Sequence, residues 1–155
     1  MKKLSVILIA VCLALTLAGC GTQYEDTNGA EDFSLQTITD QDIINLSTGS
    51  SGLSYTESSL GDVISSSEYS AKNFNGVEQL YLTNFLLPSD IEVYIGHMNV
   101  KQGNFRLVVV NNDEIIYDFP LDAFGETFRF EKLTGSFAIH VAGESAAFEF
   151  YLNIP

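Results

Sequence analysis

Phe148-Glu149-Phe150-Tyr151-Leu152-Asn153-Ile154 decides the fold. Apolar side chains stand at every second position, so one face of an extended chain is apolar throughout and the other is mixed, the period of a half-buried strand. Going back along the chain, the same period recurs. Phe137, Ile139 and Val141 alternate with Ala138 and His140. Phe128 and Phe130 flank Arg129. Ile115, Tyr117 and Phe119 alternate with Ile116 and Asp118. Phe105, Leu107 and Val109 alternate with Arg106 and Val108, and Ile91, Val93 and Ile95 with Glu92 and Tyr94. An earlier segment from Val77 to Thr83 has Leu80 and Leu82 on one face. No helical period is sustained after residue 70.

Turn residues separate these segments. Asn111-Asn112-Asp113 and Gly143-Glu144 read as hairpin turns, because asparagine, aspartate and glycine accept the left-handed conformations that tight turns need. Lys101-Gln102-Gly103-Asn104, Thr134-Gly135 and Leu87-Pro88-Ser89-Asp90 read as further turns. Short one-faced strands at this spacing predict an all-β domain, two antiparallel sheets packed as a β-sandwich over residues 71–155. Phe105, Leu107, Val109, Phe137, Ile139, Phe148 and Phe150 are its expected core.

Residues 20–70 read as a different kind of chain. Between Gly21 and Ala71 there is no lysine or arginine, whereas Glu25, Asp26, Glu31, Asp32, Asp40, Asp42, Glu57, Asp62 and Glu68 are acidic, among many serines, threonines and glycines. Such a composition buries little apolar area and keeps the chain extended, which predicts a flexible acidic tether. Within it, Thr39-Asp40-Gln41-Asp42 is a helix start ahead of Ile43, Ile44 and Leu46. That short segment either docks on a partner or packs on its own domain.

At the N-terminus, Lys2 and Lys3 precede an apolar run from Leu4 to Leu17, followed by Ala18, Gly19 and Cys20. A basic start, a short apolar stretch and small residues at a cut describe a secretory signal; the run is shorter than the ~20 residues of a spanning helix, the competing reading. Leu17-Ala18-Gly19-Cys20 resembles the lipobox of bacterial lipoprotein precursors. That resemblance implies cleavage after residue 19 and a diacylglyceryl thioether on Cys20. It places the mature chain on the extracytoplasmic face of the cell membrane. The stretch from Phe74-Asn75-Gly76-Val77 onward is also similar to small uncharacterised lipoproteins of Gram-positive bacteria. This implies an immunoglobulin-like or jelly-roll sandwich and no particular activity.

Removing the first 19 of the 155 residues leaves 136, and the net charge of −13 falls to −15 as Lys2 and Lys3 leave. Nucleic acid is set aside as a partner, since phosphate backbones need positive charge to approach. With Cys12 gone and Cys20 acylated, no thiol remains for a disulfide or a metal site. His97 and His140 have no ligand-spaced neighbour, no serine has a nucleophile's setting, and the acid pairs Asp90/Glu92 and Asp113/Glu114 lack the pattern of a calcium loop. No metal or cofactor is therefore expected, and no enzyme activity. The remaining candidates are Tyr94, His140 and Tyr151, read as outward-facing and fit to hold a protein, peptide or glycan. The expected function is a non-catalytic binding or adaptor module. The alternative is an accessory subunit of a membrane complex, docked through Ile43-Ile44-Asn45-Leu46.

Overall fold

The computed structural model describes residues 34–59 and 65–155. The signal stretch, Cys20 and the first part of the expected tether lie outside the described residues. A single turn-length helix, α1 (Asp40–Asn45), precedes four extended runs: β1 (Ser51–Ser59), β2 (Ser65–Asn111), β3 (Glu114–Asp118) and β4 (Phe124–Ile154). At about 3.3 Å per residue, β2 laid straight would reach roughly 150 Å, far beyond any small domain. It therefore has to bend, and so does β4.

The pairing shows where. In one sheet, segments run in the order 51–59, 65–71, 148–154, 94–102 and 124–127; in the other the order is 74–85, 135–146, 104–111 and 114–118. All neighbours are antiparallel. The stretches 135–146 and 148–154 of β4 thus each lie between two segments of β2, as when a long hairpin is rolled up. This four-plus-four order, with β1 added at an edge, is that of a jelly roll rather than of an immunoglobulin-like sandwich. The sheets close on one core. Phe137, Ile139, Phe105, Leu107 and Val109 from one meet Phe148, Phe150, Val93 and Ile95 from the other, all essentially sealed from solvent. Phe105 and Phe148 lie 4.6 Å apart across it.

Several expected turns have another job. Asn112 and Asp113, at φ 49° and 63°, do form a tight hairpin between β2 and β3. At Gly143-Glu144, Lys101–Asn104 and Thr134-Gly135, however, the chain does not reverse. It passes through a bulge and crosses to the other sheet. Gly103 shows why the residue types look alike: it sits at φ 75°, and a Cβ there would lie 2.3 Å from the Ser145 carbonyl oxygen. Bulged corners and hairpins both need positive φ and small side chains.

The tether expected over 20–70 is corrected over its described part. Ser51–Ser59 is an edge strand on β2, and 65–71 is an interior strand of the first sheet. Ahead of them, α1 packs on the outer face of the second sheet, where Ile43 is fully buried among Val77, Val108, Val110 and Ala142, with Leu35, Ile38 and Ile44 at the edge. The segment covers its own domain, so Ile43 is not on offer to a partner. Average composition hides this, because a few well-placed aliphatic residues suffice to cover a small apolar patch.

Candidate functional site

The outer faces of the two sheets differ, and among the described residues only one is open. On the second sheet, Val108 and Val110 point away from the main core yet are buried, because segment 35–46 lies over them. Glu144 fastens that cover. Its carboxylate accepts hydrogen bonds from the backbone N–H of Gln36, Thr37 and Ile38 at 2.6–2.9 Å, from the Thr37 hydroxyl and from Asn104. Partial burial pushes this acid up, but the bonds from Asn104, Gln36 and Thr37 outweigh it and hold the group well below the usual carboxylate range. At the helix start, Thr39 and Asp42 form a reciprocal capping box, and Ser47 with Thr39 lowers Asp42 to about 2.

His140 belongs to this covered face. It is 3% exposed, and its Nδ1 lies 2.8 Å from the Ile43 carbonyl oxygen. A carbonyl only accepts, so Nδ1 carries the proton and Nε2 presents a lone pair; Nε2 has no partner. Burial lowers the basicity of the ring, and the bond to Ile43 offsets part of that. The sequence expectation that His140 is outward and exposed is corrected. It does point away from the main core, but α1 covers it.

The outer face of the first sheet carries the other two candidates, side by side. Tyr94 and Tyr151 stack edge to face with ring centroids 6.2 Å apart. The Tyr151 ring lies over Gly96, where a Cβ would come within 2.7 Å of it, so the glycine makes room for the ring. Pairing sets Tyr151 between Glu68 and His97, and His97 opposite the exposed Phe124. Two residues along the same strand, Glu149 accepts from Lys101 Nζ at 2.8 Å and from Asn99 at 3.2 Å; these donors, Lys101 first, hold it below its ordinary range. The result is an uncovered strip of aromatic edges, amide and carboxylate. His140 is not part of it.

The acid pairs weighed from sequence sit elsewhere. Asp90 is bound by Arg129 and the Lys132 backbone N–H, and Asp113 occupies the hairpin tip. Among the described residues no three histidine, cysteine or carboxylate groups converge as a metal site. Sequence reasoning missed Glu144, which resembles any acid at a turn. It also missed the second apolar patch, although Leu107-Val108-Val109-Val110, apolar at successive positions, signals a strand buried on both faces.

No protein-family model matches this chain, and no curated protein matches it. Among solved structures, a cupin superfamily protein from Desulfitobacterium hafniense DCB-2 is similar at 16% identity, over 65% of this chain and 74% of that one, with a TM-score of 0.33. So slight an overlap carries no argument; the strand order alone defines the jelly roll.

Proposed function

We propose that this protein is a lipid-anchored binding module, tethered through Cys20 at the extracytoplasmic face of the membrane, which holds a polar ligand on the open face of its first sheet and catalyses no reaction. The observation that carries the reading is the Tyr94–Tyr151 pair on a face that no described segment covers, beside Asn99 and Glu149. Aromatic edges with neighbouring amide and carboxylate groups suit a ligand rich in hydroxyls. A non-catalytic role is supported by the state of the histidines. His140 is buried with Nδ1 on the Ile43 carbonyl, and the His97 ring makes no side-chain hydrogen bond among the described residues, so neither ring is oriented toward a nucleophile there.

The test is an array of oligosaccharides and peptides probed with the chain. Tyr151→Ala and Tyr94→Ala should abolish capture while the fold, followed by circular dichroism, persists. If both variants bind as the parent does, the face is not the site. His97→Ala should bind normally. Chemical turnover of a captured ligand, abolished in His97→Ala while capture persists, would reinstate catalysis. For the anchor, mass spectrometry of membrane-extracted protein should find acylated Cys20 at the N-terminus. Processing and membrane retention of Cys20→Ala would refute it.

A further inference from the structure

The open face of the first sheet ends in a groove of about 550 Å³, at the corner where β2 and β4 leave for the second sheet. Ser54, Ser70, Lys72, Asn73, Lys101 and Glu149 line it. Both lysines owe their place to irregular backbone. On one side of strand 148–154, Ala71 pairs with Phe148 and Phe74 with Ala146, which leaves Lys72 and Asn73 as an unpaired bulge. On the other side, Val100 pairs with Phe148 and Gln102 with Ala147, leaving Lys101 as a second bulge. Bulges re-aim side chains and gather beside binding sites. Here two of them flank one strand and direct their lysines to one groove.

The charge balance makes this unusual. The whole chain carries −13, with only five cations after the N-terminal pair. Arg106 is committed to Asp118 and Asp40, and Arg129 to Asp90, Glu92 and Glu131. Lys72 makes no ion pair among the described residues. Lys101 meets Glu149 alone, with both side chains about half exposed, so solvent screens the pair and it contributes little to stability. Neither lysine is needed to hold the fold together, yet the two converge in a groove of net positive charge on a strongly acidic protein.

We infer that this groove selects a negatively charged sugar residue, so that the ligand of the tyrosine face is an acidic oligosaccharide; the inference rests on the binding-face reading above. Lys72 and Lys101 take the carboxylate or phosphate. Ser54, Ser70 and Asn73 serve the neighbouring hydroxyls, and Glu149 accepts from a hydroxyl while steadying Lys101. Tyr151 lies two residues beyond Glu149 on the same face, about 7 Å along the strand, where it meets the next sugar ring. A dense polyanion is disfavoured by the −13 field, as are nucleic acid and anionic lipid. A single charge feels chiefly what lies within a Debye length of about 8 Å, and the groove lining sets two lysines against one glutamate.

The experiment uses the full chain in detergent on an array of matched oligosaccharides: neutral, with one uronic acid, and with one phosphate. The acidic members should bind at least tenfold more tightly than their neutral partners. Lys72→Met and Lys101→Met should each reduce that advantage, the double variant should erase it, and raising the salt from 50 to 500 mM should narrow it. Which acidic set binds best distinguishes carboxylate from phosphate. Equal binding of neutral and acidic sugars, unaffected by the lysine variants but lost in Tyr151→Ala, overturns this inference and leaves the face as the site. Capture of a carboxylate-bearing peptide as tightly as any sugar, with the same lysine dependence, overturns the sugar class. No binding to any sugar overturns it as well.

Discussion

The two sheets have the same architecture and opposite outer surfaces. The second sheet turns Val77, Val108, Val110 and Ala142 outward, and segment 35–46 covers them with Ile43 at the centre. The first sheet turns Tyr94, Tyr151, His97, Asn99 and Glu149 outward, and no described segment lies over them. An apolar outer face must be buried, either on the protein's own chain or on another; a mixed aromatic and polar face is stable in water and stays available. The contrast also explains why the two histidines differ. His140 stands under the cover, and His97 on the open side.

The comparison can be broken most severely from the shared core. Phe148 packs against Phe105, Phe150 and Phe74, and Phe148→Ala should cost about 3–5 kcal/mol, the usual range for a buried phenylalanine, enough to unfold much of a small domain. Glu149→Ala, next in the chain but outward, should cost under about 1 kcal/mol by urea denaturation. Equal losses would show that the alternation has been assigned to the wrong faces.

The cover comes next. Ile43→Ala should destabilise by about 2 kcal/mol or more, and hydrogen exchange should show segment 35–46 losing protection while β4 keeps it. If β4 opens equally, the cover is part of the cooperative core and not a separable layer. Loss of the cap in Thr39→Ala should act in the same place at about 1 kcal/mol.

Acid should act on the covered face in particular. The pKa of His140 is lowered in the fold by burial, so the unfolded chain binds the proton more readily. The stability it contributes is present above the unfolded value of about 6.5 and is lost as pH falls below it toward the lower folded value. Urea midpoints measured between pH 7.5 and 5 should fall, and in His140→Gln that part of the slope should vanish. Glu144 and Asp42, both lowered, add losses only at more acid pH. An unchanged slope in His140→Gln would place the acid sensitivity elsewhere.

The smallest effect belongs to the open face. Breaking the Tyr94–Tyr151 ring pair should change stability by only about 0.5–1.5 kcal/mol, while ligand capture is lost. A large stability loss in Tyr151→Ala would mark the pair as structural cement.

Much of the candidate site was legible in the sequence, but not all of it. Tyr94 and Tyr151 could be placed outward by counting along their strands, because period two fixes the face of each residue. His140 was given the right side of its sheet by the same count and the wrong exposure, because counting along a strand says nothing of what lies over it. Gly96, beside Tyr94, carried a signal that only the position of the Tyr151 ring explains.

Alternation alone determined that this domain is all-β and that Phe105, Phe137, Phe148 and Phe150 build its core, since these follow from local geometry; the buried Phe74 and the exposed Leu82 escaped it. The tertiary structure decided what depends on distant partners. Gly103 and Gly135 accept positive φ at a hairpin or at a corner equally well, so only pairing between remote segments made them corners and the fold a jelly roll. Ile43 is an aliphatic residue in an acidic, serine-rich stretch, and only the apolar surface of Val108 and Val110, more than 60 positions later, made that stretch part of the domain.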